Sequence, residues 1–272
     1  MESPVLLVPA DRDLDRIDNV RRTIRKGIYR GATDTFADGR LKAGIIVVPR
    51  TSARDFLQFC QLNPKACPLV ATSRIGCPSM PVLGDVDIRT DVPSYDVFRH
   101  GAPSGHCTDI LDLWNDDLAA FALGSSSTFE YALIEKGVAL RTRSSTAPRY
   151  RSLIETTSVG CFGGKVVVSM RPVRREQVDA VRTVACRFPQ AHGCPIHVGD
   201  PEAIGIKDLT LPDWGEPVEM RRGEVPVFWA SSMTARDAVL RARPELAITH
   251  TLGHVLITDL SACENAGIFR VF

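Results

Sequence analysis

Charge of one sign is missing from this chain of 272 residues: 33 Lys and Arg stand against 32 Asp and Glu, a formal net charge of +1. Such balance offers no bulk attraction for nucleic acid or an anionic membrane, so neither is expected as a partner. Long hydrophobic runs are also missing. The stretch over 43–49 falls far short of the roughly 20 residues that span a bilayer. No two cysteines are spaced Cys-x-x-Cys, which removes the strong zinc or redox signature. There is no Gly-x-Gly-x-x-Gly, and the nearest approach to a phosphate loop, Gly160-Cys-Phe-Gly-Gly-Lys165, fails twice. Val159 stands where its first glycine should be, and no Ser or Thr follows Lys165 to hold magnesium. No cofactor, nucleotide or metal, is therefore expected. No repeat or low-complexity segment stands out either.

What is present reads as a globular protein with a sizeable core: 44% of residues are apolar and 24% charged. Eight cysteines, among them Cys186 and Cys194, read mostly as buried reduced thiols, because a chain of this length needs no staples. The first residues have an apolar patch without a basic lead, a poor secretory signal, which makes the cytoplasm the default location.

Periodicity predicts a helix over 15–26, a buried strand over 43–49, a helix capped by Thr51 or Ser52, and a strand over 68–71, together a βαβ unit. Asp85 to Gly101 reads as extended, 109–123 and 127–136 as helices, and 138–143 as a strand. Further on, 165–172 reads as a strand and 174–187 as a helix; 195–199, 225–230, 246–250 and 254–260 read as strands. The expected fold is α/β and two-lobed. A mixed α/β sandwich lobe spans 1–145 and is completed by 225–272; a smaller α+β lobe spans 146–224.

Three constellations carry candidate chemistry. On a strand, Asp85, Asp87, Arg89 and Asp91 would share one face, as the wall of a polar cavity or as a solvated face of intra-strand ion pairs. Gly124-Ser-Ser-Ser-Thr-Phe-Glu130 places hydroxyls and free N–H groups at a helix start, which suits a carboxylate or phosphate; an ordinary cap, with Glu130 closing a capping box, fits as well. Histidines gather late, at 192, 197, 250 and 254. His250-Thr-Leu-Gly-His254 has the spacing of a metal pair, but Gly253 and β-branched neighbours favour strand–turn–strand, and no carboxylate or sulfur ligands stand at matched spacing.

Several segments, in order along the chain, resemble successive blocks of the D-glutamate cyclase family, also described as hydro-lyases. They are Asn63-Pro-Lys-Ala-Cys-Pro-Leu, Asp87-Ile-Arg-Thr-Asp-Val-Pro-Ser-Tyr95, Gly124-Ser-Ser-Ser-Thr-Phe-Glu130, Val167-Val-Ser-Met-Arg171-Pro, His192-Gly-Cys-Pro-Ile-His197-Val-Gly-Asp200-Pro, Val225-Pro-Val-Phe-Trp-Ala230 and Ile248-Thr-His-Thr-Leu-Gly-His254. The resemblance spans about Val20 to Leu260. It implies a two-lobed, cofactor-independent α/β protein and a reaction that cyclises D-glutamate to 5-oxo-D-proline with loss of water. The chain departs from the family at Ser125, where the family has Cys, at Thr251-Leu252 in place of Ala-Pro, at Ser231-Ser232 in place of Cys-Gly, and at Lys42-Ala-Gly44 in place of Gln-Ala-Asn. These departures imply a divergent member acting on another small amino or dicarboxylic acid.

Lactam formation needs a base, a held carboxylate, an oxyanion site and an acid for the departing hydroxide. For this chemistry Arg89 and Arg171 are expected to hold carboxylates. Ser125, Ser126 and Ser127 would bind a second carboxylate and the oxyanion, with Asp87 or Glu130 as base and His250 or His254 as acid. His197 and Asp200 are expected to orient the substrate. The expected partner is a small acidic molecule; a homodimer is left open. A lactam or amide hydrolase and a non-catalytic carboxylate-binding protein are the alternatives.

Overall fold

The computed structural model describes residues 17–262. After a helix, α1 (Ile17–Arg25), the chain enters β1 (Arg40–Pro49), α2 (Arg50–Leu62) and β2 (Leu69–Thr72). β3 (Tyr95–Arg99), β4 (Ala102–Cys107), β5 (Leu118–Gly124) and α3 (Ser127–Glu135) follow. The next group is β6 (Arg149–Glu155), β7 (Lys165–Arg174), α4 (Val178–Ala185) and β8 (His197–Val198). Last come β9 (Glu224–Ala230), α5 (Met233–Ala242), β10 (Ala247–His250) and β11 (Leu256–Ser261).

The fold is mixed α/β with two sheets. The larger has the order β2-β5-β1-β10-β3-β4, and β11 pairs with β1 beyond the end of β10. The smaller has the order β6-β7-β9-β8. Every strand pairing in both is antiparallel. The β1–α2–β2 unit exists, but β5 is inserted between its two strands and pairs with both. The strand over 225–230, expected to return to the first lobe, is instead the partner of β7 in the smaller sheet; only β10 and β11 return.

Alternation along the strands explains the layering. Ile46 and Val48 of β1 and Phe121 and Leu123 of β5 share a core with Val168 and Met170 of β7 and Phe228 and Ala230 of β9. The two sheets thus bury one face against a common interior, which α2 and α5 also fill through Phe56, Phe59, Ala235 and Val239. The opposite residues of β1 and β5, such as Ile45, Val47, Ala120 and Ala122, pack against Met80, Leu83, Val86 and Ile88. On the outer face of the smaller sheet, Val227 and Trp229 meet Phe129 and Leu133 of α3 and Val181 and Val184 of α4. The helix that leaves the large sheet therefore covers the small one.

Five local expectations are corrected. Residues 109–123 are not a helix. Leu118–Gly124 is a central strand buried on both faces, and its alanines favour a helix only where no sheet competes. Residues 138–143 are irregular. α2 starts directly after Pro49 with no side-chain cap from Thr51 or Ser52. Residues 85–91 form a turn, because the Asp91 carboxylate accepts the Asp87 N–H (2.9 Å) while the Asp91 N–H reaches Asp87 O (3.0 Å). Cys186 and Cys194, from a set read mostly as reduced, are joined by a disulfide that closes the loop around His192.

Candidate functional site

β1 has an interrupted neighbour. β10 pairs with its far half (Ile46 with Thr249) and β11 with its near half (Ala43 with Leu256), both running the same way. Residues 251–255 bulge out between them. In the gap beside Gly44, the His250 ring replaces the missing strand: its Nδ1 lies 3.1 Å from Ile45 N and 3.2 Å from Ile45 O. Whichever of the two it satisfies, Nε2 takes the opposite role. A Cβ at position 44 would overlap this ring.

A pocket opens at this gap. Its wall includes Asp34, Ser125, Ser126, Ser144, Arg149 and His192 on one side and Ser231, Ser232, Met233 and His250 on the other. Two turns of one design build it. After β5, Ser125 N donates to Lys42 O (2.8 Å); after β9, Ser231 N donates to Val167 O (2.9 Å). Thr128 Oγ1 accepts from Lys42 N (3.0 Å) and donates to Lys42 O (3.3 Å). Thr234 Oγ1 does the same with Val167, at 3.0 and 3.3 Å. Even the register matches, Ala43 opposite Gly124 and Val168 opposite Ala230. The module is therefore used twice, although the chain reads as repeat-free. Its trace in the sequence is the shared Ser-Ser-x-Thr of 125–128 and 231–234.

Beneath the first turn lies a buried ion pair. Arg171 donates to Glu130 Oε1 (2.6 Å) and to Ser126 Oγ (3.1 Å), and all three residues are buried. The capping-box alternative is absent: Ser126 caps no N–H with its side chain, and Glu130 is committed to Arg171. Ser125 Oγ and Ser127 Oγ bond each other at 2.9 Å, and Ser126 Oγ and Ser144 Oγ at 3.0 Å.

Arg149 was not among the expected site residues. Only 3% exposed, it gives Nη1 to Ala147 O (2.8 Å) and Nη2 to Ser144 O; Nε has no partner, and no carboxylate lies within ion-pairing distance among the described residues. Burial and the nearby Arg171 charge lower its pKa to about 10, so it stays cationic at neutral pH. With Lys42 and Arg171 it makes three buried cations against two buried carboxylates, Asp34 and Glu130; Lys42 also reaches the exposed Asp38. His192, singled out among the late histidines but given no expected role, hydrogen-bonds Lys65 O through Nδ1 (3.0 Å), which leaves the Nε2 lone pair free. Burial, then the Arg171 and Arg149 charges, lower its pKa to about 4, so the ring is neutral. Burial likewise lowers His250 to about 4.

Of the expected site residues, the structure gathers Ser125, Ser126 and His250 in the pocket wall, with Ser127, Glu130 and Arg171 directly behind it. The others are elsewhere. Asp87 and Arg89 pair with each other at 2.7 Å in the 85–91 turn, and the Arg89 bond holds Asp87 below the usual carboxylate range against the effect of burial. His197 bonds the Asp200 backbone oxygen (2.6 Å), and the Asp200 carboxylate caps Glu202 N (3.0 Å) in a separate, exposed turn. His254 lies in the 251–255 bulge, bonded to Leu252 O (3.2 Å), outside the pocket wall. A short sequence spacing could not reveal Arg149: it opens an edge strand, and only the packing of that strand under Ser144 buries it. Among the described residues no cluster of three or more His, Cys, Asp or Glu is placed to hold a metal ion, and no helix is long and apolar enough to cross a membrane.

Comparison with known proteins places the chain in a wider group. The family model described as D-glutamate cyclase matches residues 119–259, a span that holds both serine turns, Arg149, Arg171, His192 and His250. A protein of Jannaschia sp. named "Putative hydro-lyase" is 46% identical over 92% of this chain and 96% of its own length. Proteins with the same designation from Dinoroseobacter shibae and Bordetella pertussis are each 48% identical; the first covers 92% of this chain and 85% of its own, the second 88% of each.

Proposed function

Because the chain belongs to the D-glutamate cyclase family, we propose that it is a hydro-lyase that binds a small amino or dicarboxylic acid between its two serine turns and removes water from it. Cyclisation of D-glutamate to 5-oxo-D-proline is the reaction to try first. The observation that carries this reading is Arg149. A guanidinium taken out of water without a counter-ion costs several kcal/mol, and a ligand carboxylate in the pocket would supply what the protein withholds. A guanidinium also binds a carboxylate through two parallel bonds, which fixes its direction.

The remaining steps fall to groups beside it. In the cyclisation the amine nitrogen forms a bond to the distal carboxyl carbon and a C–O bond of that carboxyl breaks. The amine must first give up a proton, and hydroxide leaves as water after gaining one. His192 Nε2 carries a free lone pair in the wall that it shares with the anchoring cation, and a bound carboxylate offsets the Arg171 and Arg149 charges that hold its basicity down. His250, whose Nδ1 role is set by Ile45, presents Nε2 for the other transfer. The Glu130–Arg171 pair holds Ser126 in place rather than acting as base. The pocket also folds a flexible chain into an attacking bend.

The experiment is direct. The purified protein is incubated with D- and L-glutamate and a panel of small amino and dicarboxylic acids, and loss or gain of water is followed by mass spectrometry. At least one acid is expected to react, and to raise the melting temperature of the native protein but not that of Arg149→Met. Absence of turnover with every acid overturns the reading, whether or not any of them stabilises the protein.

A further inference from the structure

The two serine turns match in their backbone but not in their surroundings, and the mismatch assigns the two ends of the substrate. Ser126 and Ser232 hold the same backbone conformation, φ −61° and ψ −21° against φ −59° and ψ −15°. In each turn the preceding serine spends its N–H on the neighbouring strand, and the following residue turns its N–H toward that serine's Oγ, Ser127 N at 3.4 Å and Met233 N at 3.3 Å. The N–H between them, of Ser126 or of Ser232, has no acceptor among the described residues. Both serines line the pocket. It thus carries two equivalent free donors, one from each sheet.

Around Ser126 a cation is left without a partner at ion-pairing distance: Asp34 and Glu130 act on Arg149 only from beyond it. Arg149 bonds the backbone of Ser144, whose hydroxyl bonds Ser126. Around Ser232 no cation is free: Arg236, which shares a wall with Ser232 and His250, is paired with Asp96 at 3.2 Å and stacked over Phe98. The His250 ring completes that end. A carboxylate beside an unpaired guanidinium stays ionised and is a poor electrophile. A carboxyl group in a part-buried site without a free cation takes up a proton more readily, which is the form that expels water.

We propose that the Ser126 turn with Arg149 anchors the carboxylate that does not react, and that the Ser232 turn is the oxyanion site over the carboxyl that does. Resting on the hydro-lyase reading above, this assigns a direction to the same pocket. When the amine attacks the distal carboxyl carbon, the new N–C bond pushes the C=O electron pair onto oxygen, and the Ser232 N–H receives that charge. The pair then returns, the C–O bond to the hydroxyl breaks, and the hydroxyl leaves as water with the proton that the nitrogen has lost. Ser232 would be a catalytic residue through its backbone, and Arg149 a specificity-determining one.

The backbone of each serine allows a probe, because proline keeps φ near −65° and removes the N–H together with the hydroxyl, whereas alanine removes the hydroxyl alone. Kinetics are measured on the acid that the wild type dehydrates; butyrate, which has a single carboxylate and no amine, reads the anchor by thermal shift. Ser232→Pro is expected to lower kcat about 10²-fold, well beyond any loss in Ser232→Ala, and to leave the butyrate shift unchanged. Ser126→Pro and Arg149→Met are expected to raise KM at least ~10-fold with kcat within about threefold, and to abolish the butyrate shift. If Ser232→Pro does not fold, His250→Gln reads the same end with the backbone intact, and is expected to lower kcat and keep the shift. The proposal is overturned if the roles are reversed, if Ser126→Pro and Ser232→Pro change kcat and KM alike, or if Ser232→Pro, or His250→Gln in its place, turns over like wild type. A wild type inert toward every acid overturns the hydro-lyase reading and, with it, the oxyanion assignment. A reactive wild type with any of those three outcomes overturns the assignment alone.

Discussion

The His250 ring stands where Gly44 leaves room for it, in the gap of β1's edge, with Nδ1 between the N–H and the C=O of Ile45 at 3.1 and 3.2 Å. One residue without a side chain thus decides whether an imidazole can fill the break in the sheet and face the pocket. Gly44→Ala is expected to displace the ring. Overpacking at so tight a contact costs about 1–3 kcal/mol, and turnover should fall at least ~10-fold if His250 moves protons. Chemical denaturation and kcat check both, and an unchanged kcat in a folded Gly44→Ala protein would separate His250 from the chemistry.

The Glu130–Arg171 pair is a second point of attack. Both side chains are buried, and Arg171 also leans on the face of Trp229, 5.3 Å from the ring centroid. Removing one partner leaves an uncompensated buried charge, so Arg171→Met is expected to cost about 3–5 kcal/mol. The double change Glu130→Leu with Arg171→Met should recover most of that loss in urea denaturation while still disturbing Ser126. Additive losses in the double variant would show that the two residues are not coupled.

Acidity should destabilise the fold in a defined window. His192 and His250 both titrate near 4 in the folded state, below the ordinary 6.5, because burial disfavours their charged form. Between those values the unfolded chain binds more protons than the native one. Stability should therefore be fully present above about pH 6.5 and decline as pH falls toward about 4, by up to about 1.4 kcal/mol per pH unit for each ring. Denaturation midpoints from pH 4 to 8 test this, and His192→Asn should remove about half of the slope. A flat profile across the window would contradict it.

The duplicated turn makes a paired forecast. Thr128 and Thr234 each satisfy the N–H of an interior strand residue, Lys42 and Val167. Replacing either by Val strands that buried donor, at a cost of about 1–3 kcal/mol. Equal penalties from the two substitutions are expected in thermal or urea unfolding. A penalty at one site alone would mean that the two modules are not energetically alike.

Strands with β-branched runs were legible from the chain, because alternate burial on two faces writes itself as continuous apolar sequence; β1 and β7 are examples. β5 was not. Its alanines and leucines fit a helix equally well, and only pairing with β1 and β2 on its two sides makes it extended. The 85–91 segment failed in the opposite direction, since its alternating charges imitate a strand face. In the fold Asp91 is buried against Arg25 and turns the chain back on Asp87.

For the site, local chemistry marked what lies near in sequence. The serine run at 125–127, Glu130 and the late histidines are visible as hydroxyls and titratable groups in turn-forming sequence, and order of motifs alone pointed to the family. Which of them meet was decided by tertiary structure, because it depends on one sheet's strands being carried against another's. That packing separates Asp87 and Arg89 from the pocket, spends Arg171 on Glu130, and leaves Arg149 buried without a counter-ion. Burial is a property of the assembled layers, and the value of a charge is set by burial.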